Sequence, residues 1–345
     1  MVDYLHNLTP GELVHRRNLL LNQFGRFELE FDSRRSENKL LVKGSEIRWE
    51  PASSVHPTQQ EGHLLARIIS PELGFNIHTF RVFKRQIEGG DVDGAYHTHG
   101  DAVKYYLEGE GKEIIGDEEY EVKAGDMAFI PANIWHGTEN TGEGPMVFVA
   151  FHQLPGTHLP VPAPWQYAAS DIAGRGDLFT FLEQVSGEEP ASLDSASLYS
   201  RRQHFLHELG VLDAEFNLRR QEHRYVLSQR DIPKELSFDG AIPLISAELG
   251  FDIYALQVSI REVPAGYRDS GFHAHGESVH YILSGRGTQR VNDEELPIES
   301  GDLVFIPLGA GHGIINSGNE PLRFLVAEQT PGVYLQRPAP WSERS

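Results

Sequence analysis

The apolar residues of this chain fall into short runs, and nearly every run occurs twice. Val103 to Leu107 and Val279 to Leu283 are rich in β-branched and aromatic side chains, and each leads into a Gly-x-Gly, at Gly109 and Gly285. Met127 to Ile130 and Leu303 to Ile306 each lie between a Gly-Asp turn and a proline, and Met146 to Phe151 and Leu322 to Ala327 form a third pair. Runs of this length bounded by turn residues predict strands. Many short strands with regular turns predict a β-barrel or sandwich in each half. A helical pattern stands at the start of the chain, where Thr9-Pro10-Gly11-Glu12 supplies an N-cap, a proline at the first helical position and a glutamate three residues after the cap. Leu13, Leu20 and Phe24 follow on one helical face.

The doubling extends beyond the strands. Ile69-Ser70-Pro71-Glu72-Leu73-Gly74-Phe75 recurs as Ile245-Ser246-Ala247-Glu248-Leu249-Gly250-Phe251, and Pro162-Ala163-Pro164-Trp165 as Pro338-Ala339-Pro340-Trp341, both at an offset of 176 residues (245 − 69 and 338 − 162). Each copy also has its own lead-in. Ser200-Arg201-Arg202-Gln203 precedes the second half, and Arg34-Arg35 is echoed by Arg219-Arg220 at an offset of 185 (219 − 34), so a length change separates the lead-ins from the repeats. The expected organisation is an N-terminal domain over 1–165 with a helical lead-in, a linker over 166–196 and a C-terminal domain over 197–345 with its own lead-in. The linker is rich in Ser, Gly, Ala and Asp, with a helix predicted near Asp177 to Gln184. Each half is long enough to bury a core and fold as a unit.

Charge and composition narrow the function. With 30 Lys and Arg against 50 Asp and Glu, the net charge of −20 repels nucleic acid and anionic lipid. There is no cysteine, so disulfides, thiolate ligands and a Cys nucleophile are excluded, and any metal must be held by nitrogen and oxygen. Met1 to His6 carries no basic and apolar leader pattern, and no run of about eighteen apolar residues occurs, which leads us to expect a cytoplasmic protein without membrane or nucleic-acid partners. No phosphate-binding glycine loop or nucleophile elbow is present.

The candidate chemistry is carried by histidine. His97-Thr98-His99 is followed, thirty-seven residues after His99, by His136, and His273-Ala274-His275 is followed by His312 at the same spacing. Seventeen histidines in 345 residues would produce a stray His-x-His by chance, and a single histidine is ordinarily a polar core or turn residue. A trio kept twice in one register is a different matter. Alternate residues on a strand share a face, so His97 and His99 can grip one ion while the third ligand comes from another strand. Three neutral imidazoles suit Fe, Zn, Cu, Ni or Mn and leave positions open for water, substrate or O₂.

Here the residues resemble a known family. Gly125-x5-Pro131-x4-His136-x3-Asn140 and Gly301-x5-Pro307-x-Gly309-x2-His312-x3-Asn316 are similar to the second cupin motif, while His97-x-His99 and His273-x-His275, leading to Gly109 and Gly285, resemble the first. The resemblance covers nearly the whole chain apart from the lead-ins and linker. It implies a bicupin: an all-β protein with minor helices, made of two tandem jelly-roll β-barrels. Asn133 replaces a motif glycine in the first half, and the glycine before each His-x-His stands one residue further off than in the usual motif. The family's metal-binding glutamate is replaced by Ala102 and Ser278; Asp101 and Glu277, one residue earlier, are the alternatives if the turn is distorted.

Within cupins, a three-histidine site with Ala at the Glu position resembles the gentisate, salicylate and 1-hydroxy-2-naphthoate 1,2-dioxygenases. That resemblance implies an Fe(II)-dependent, ring-cleaving dioxygenase that takes a small aromatic carboxylate and O₂ as partners and holds one or two irons per chain, manganese being the less favoured metal; its familiar members often keep the full trio only in the N-terminal barrel, whereas here both candidate metal trios, His97, His99 and His136 and then His273, His275 and His312, are complete. The family's substrate arginine corresponds to Lys104 in the first half and His280 in the second, so Lys104 is expected to face the metal and receive the carboxylate, and the first half is the preferred catalytic site. His280 is open to three roles: substrate binding, acid or base, or fourth ligand; a satisfied core position is the alternative. Trp135 is a candidate pocket wall, with Tyr96, His152 and His158 weaker ones of the same sort. The closing Pro-Ala-Pro-Trp segments read as straps or dimer contacts, in keeping with a homo-oligomer. The rival readings are another metal-dependent bicupin enzyme of the oxalate decarboxylase or quercetinase type, and a non-catalytic bicupin binding protein.

Overall fold

The computed structural model describes residues 7–34, 39–54, 63–70, 73–75, 77, 79–93, 97–131, 134–153, 159–160, 185–198, 200–201, 204–205, 208–209, 212, 224–232, 241–246, 249–251, 256–269 and 272–329. Tyr96, Asn133, His158, the 177–184 helix, the Arg219-Arg220 echo and both Pro-Ala-Pro-Trp segments lie outside the described residues.

The predicted strands form, most of them extended by a residue or two beyond the apolar runs. Ala102–Glu108, Met127–Ile130 and Met146–Gln153 occupy the centre of a seven-stranded antiparallel sheet whose other members include Phe80–Ile87 and Leu64–Ile69. Facing it is a five-stranded sheet of Leu159–Pro160, His97–Thr98, His136–Asn140, Glu110–Ile115 and Glu118–Lys123. The second half repeats the plan, with Leu303–Ile306, Ser278–Ser284, Leu322–Gln329, Leu256–Val263 and Ala241–Ile245 in one sheet and Glu294–Glu299, Arg286–Val291 and His312–Ile315 in the other. The Gly-x-Gly pairs sit where backbone leaves no room. Gly109 and Gly285 have φ of +83° and +85°, and a Cβ on either would lie under 3 Å from the backbone of residues 145–146 or 321–322.

The two halves are not independent modules. The short strand Leu41–Val42 pairs with Leu303–Ile306 of the second barrel, and Val226–Leu227, at an offset of 185, pairs with Met127–Ile130 of the first. Each lead-in thus caps an edge strand of the other half. Asp302 fixes one crossing by accepting from Gly44 N and Lys43 Nζ, both at 2.8 Å, and Asp126 fixes the other by accepting from Gln229 N at 2.7 Å. Rings cross the boundary with the same symmetry: Phe75 meets Phe305 edge-on at 6.1 Å, and Phe129 meets Phe251 edge-on at 6.2 Å. A single apolar cluster therefore runs through both barrels.

The N-terminal helix spans Pro10–Ser33 and carries the predicted capping box, with Glu12 N donating to Thr9 Oγ1 at 3.2 Å and Thr9 N to Glu12 Oε2 at 2.7 Å. Leu13, Leu20, Phe24 and Phe27 are buried against Val185, Leu198, Phe205, Leu209 and Leu212. The end of the expected linker is accordingly packed, because Val185 supplies apolar surface and Arg34 donates to the carbonyls of Pro190, Ala191 and Leu193. No helix among the described residues is long and apolar enough to cross a membrane.

Candidate metal centres

His97 opens the strand His97–Thr98 and pairs across the ladder with His136, the first residue of His136–Asn140. The second barrel repeats this pairing between His273 and His312, whose backbones exchange hydrogen bonds of 3.1 and 2.9 Å. The third histidine of each trio is thus a direct cross-strand neighbour of the first. His99 and His275 follow just past the short strand and turn back onto the pair. In the first trio the ring centroids are 4.3, 4.5 and 5.2 Å apart, and in the second 4.1, 4.6 and 5.4 Å. One ring nitrogen from each member lies within 4.8 Å of the others in both trios.

Backbone carbonyls decide which nitrogen faces inward. Nδ1 of His99, His136, His275 and His312 stands 2.6, 3.1, 2.8 and 3.0 Å from the carbonyl oxygens of Gly100, Ile134, Gly276 and Ala310. A carbonyl only accepts, so Nδ1 carries the proton and Nε2 keeps its lone pair for the centre. In His136 and His312 that Nε2 is buried and has no hydrogen-bond partner among the described residues. Burial, followed by the neighbouring histidines, pushes both imidazoles well below the usual histidine range. Three convergent nitrogen donors, anchored in each trio by a buried, neutral His136 or His312 and completed in the second by an exposed His273, fit a divalent metal ion.

Neither centre has a carboxylate at the position the cupin motif provides. Ala102 and Ser278 are buried at the heads of their strands. Glu277 accepts the N–H of Thr79, from the other barrel, at 2.8 Å, and Asp101 is fully buried with its backbone tied to Gln153. Neither carboxylate groups with the trios.

Lys104 points into the barrel, as its strand position predicts, and its ammonium is engaged there. Nζ donates to Glu113 Oε1 at 2.6 Å and Thr138 Oγ1 at 2.8 Å, over the ring of Phe148. Glu113 Oε2 accepts in turn from Tyr106 at 2.6 Å and from Thr138 at 2.9 Å. A carboxylate from outside would compete with Glu113 for this lysine. In the second barrel the equivalent pair is His280 and Gln289 (280 − 104 and 289 − 113, both 176), with His280 Nδ1 2.9 Å from Gln289 Oε1 and its ring 5.9 Å from that of His312. Burial lowers the His280 pKa to about 3, so it stands neutral. Trp135 is half-buried, and its carbonyl accepts from Gly116. His152 lies beside the first centre, its ring 3.9 Å from that of His99.

Sequence reasoning missed Glu113 and the buried pair of Arg85 and Asp93, in which Arg85, against the effect of burial, holds the Asp93 carboxyl below its usual range. The signal that finds Glu113 is the repeat itself: the charged pair Lys104 and Glu113 changes together into the neutral pair His280 and Gln289.

A family model described as "Cupin domain" matches residues 84–152 and again 259–328. The chain carries two cupin domains. Both matches begin in the strand that carries Arg85 or Arg261 and end at the last barrel strand, so each cupin domain encloses one complete trio. Among curated proteins, the oxalate-binding protein of Thermotoga maritima is 44% identical over 57 residues, which is 16% of this chain and 47% of that protein. An uncharacterised protein of Methanocaldococcus jannaschii is 37% identical over 71 residues, 20% of this chain and 56% of that protein. The chain thus spans about half the length of the curated relatives it matches. Over the whole bicupin, the solved oxalate decarboxylase of Lactobacillus farciminis, a formate complex, aligns with a TM-score of 0.56 at 16% identity, covering 86% of this chain and 88% of that one. The putative glyoxylate-induced protein of Pseudomonas aeruginosa aligns with a TM-score of 0.54 at 14% identity, covering 86% and 90%. At these identities the likeness is one of fold.

Proposed function

We propose that the chain is a metal-dependent bicupin enzyme acting on a small carboxylic acid. The observation that carries the reading is the pair of convergent histidine trios, in each of which the second and third members keep their Nε2 lone pairs for the centre. A divalent ion held there supplies Lewis acidity and, if it is iron or manganese, electron transfer. The chain does the rest: the carbonyls of Ile134 and Ala310 orient the ligand rings, and the apolar barrel walls exclude water from the reacting group. The oxalate decarboxylase fold likeness and the oxalate-binding relative favour a small aliphatic diacid such as oxalate, with loss of CO₂ as the reaction.

A second reading, ring opening of a salicylate- or gentisate-type acid by O₂ at an iron centre, is favoured by Ala102 and Ser278, which leave both centres without the carboxylate of the ordinary cupin site. Metal analysis of anaerobically purified protein, followed by parallel assays of CO₂ release from oxalate and O₂ uptake with gentisate, salicylate and 1-hydroxy-2-naphthoate, separates the two. CO₂ release without O₂ consumption supports the first reading, and stoichiometric O₂ uptake with an aromatic acid supports the second. Metal-loaded protein that binds oxalate and turns over none of these acids is a binding protein.

A further inference from the structure

The two centres share their trio but differ in charge at one side. Met146–Gln153 and Leu322–Gln329 are equivalent strands, and their interior faces are marked by Phe148, under Lys104, and Phe324, 5.0 Å from the ring of His280. Two pairs further along the same faces come His152 and Glu328 (328 − 152 = 176), each beside the second histidine of its trio. The His152 ring is 3.9 Å from the His99 ring, and Glu328 Oε2 is 4.0 Å from His275 Nε2.

Their cross-strand partners differ in the opposite sense. His152 is in register with Arg81, close enough for the guanidinium to bear on the imidazole, whereas Glu328 is in register with Gln257 (257 − 81 = 176), whose Nε2 is 3.5 Å from Glu328 Oε1. The first barrel therefore sets an imidazole beside its centre, with an arginine next to that imidazole. At the same place the second sets a carboxylate and a neutral amide. Charges within a few Å in a partly buried site act with little screening, so exchanging a cation for an anion reverses which ligand is welcome.

We propose that the centres divide their labour by ligand charge: the N-terminal one, flanked by the imidazole of His152 with Arg81 behind it, accepts an anionic ligand, and the C-terminal one is closed to anions by Glu328. The proposal rests on the metal reading above and adds which barrel takes the acid.

Cobalt(II) and azide test it without turnover. Apoprotein reconstituted with two equivalents of Co(II) is titrated with azide while the visible absorption of the cobalt is followed. One azide per chain is expected to bind tightly, the second weaker by about tenfold or more, the factor that corresponds to ~1.4 kcal/mol. His136→Ala removes the tight site, and His312→Ala leaves it. Glu328→Gln, which keeps shape and removes charge, brings the second azide to within about threefold of the first, less than ~1 kcal/mol away. Glu328→His, the residue of the other barrel, does the same, and Arg81→Gln weakens the first.

Two azides of equal affinity in the wild type, no azide at all, a tight azide that survives His136→Ala, or a Glu328→Gln protein that still takes only one would each overturn the assignment. Failure of the trios to take up cobalt would remove the metal reading and the proposal together. Cobalt uptake with the expected azide pattern and no turnover of any acid would sink the catalytic reading alone.

Discussion

At the scale of single residues, the two barrels solve one packing problem with different chemistry. Lys104 and Glu113 are 3% and 0% exposed; Lys104 donates to Glu113 and Thr138, and Glu113 accepts from Tyr106 and Thr138 as well. Removing one partner leaves a buried charge uncompensated, so Glu113→Gln is expected to cost about 3–5 kcal/mol. The double variant Lys104→His with Glu113→Gln, which copies the second barrel, should recover much of that loss in urea denaturation. A single variant that loses under ~1 kcal/mol would contradict the network. His280 gives a pH prediction with a definite sign. Its folded pKa of about 3 lies below the ordinary value of 6.5, so the unfolded chain binds the extra proton. The stability it contributes is full above about pH 6.5 and is lost as pH falls toward 3. Urea titrations of the apoprotein should show stability falling through that window, with a shallower slope in His280→Asn; an unchanged slope would disprove the assignment. The repeat made the pairing of Lys104 with Glu113 readable, because both change together at an offset of 176, but it took the folded barrel to show that the lysine is already engaged.

Among elements, the long apolar runs were legible and the short ones were not. Met127–Ile130 and Leu303–Ile306 matched their predicted bounds because a turn and a proline close each run. Leu41–Val42 and Val226–Leu227 are two residues each and carry no period of their own. They are strands only because the other barrel offers them an edge. Asp302 ties that crossing through Lys43, Gly44 and its own turn at Glu299 N. Asp302→Ala should therefore destabilise the protein by roughly 2–4 kcal/mol, the loss of several hydrogen bonds to a charged group, and should raise proteolysis near residue 44. Asp126→Ala is expected to loosen the other crossing in the same way. A loss below ~0.5 kcal/mol in both would mean that the strand exchange contributes little.

For the whole molecule, the shared core and exchanged strands predict one cooperative unfolding unit rather than two. Residues 1–196 and 197–345, expressed separately, should each expose an uncapped edge and aggregate or stay partly unfolded, and co-expression should restore soluble protein. Two halves that each fold alone with sharp transitions would refute this. Metal should couple to that same transition, since the trios exist only in the folded state: at a hundred times its Kd, one bound ion adds ~2.7 kcal/mol, so chelation should lower Tm and His136→Ala should remove part of the shift. The sequence by itself determined the duplication, the β class, the strand centres and the six histidines, because these depend on local pattern and on spacing kept in one register. Only the tertiary structure decided that the halves are interlocked, that Glu277 accepts a hydrogen bond across the barrel boundary, and that His152, in register with Arg81, stands beside one centre where Glu328, in register with Gln257, stands beside the other. Those are distances between residues far apart in the chain, and they come into being when the strands pair and the barrels close.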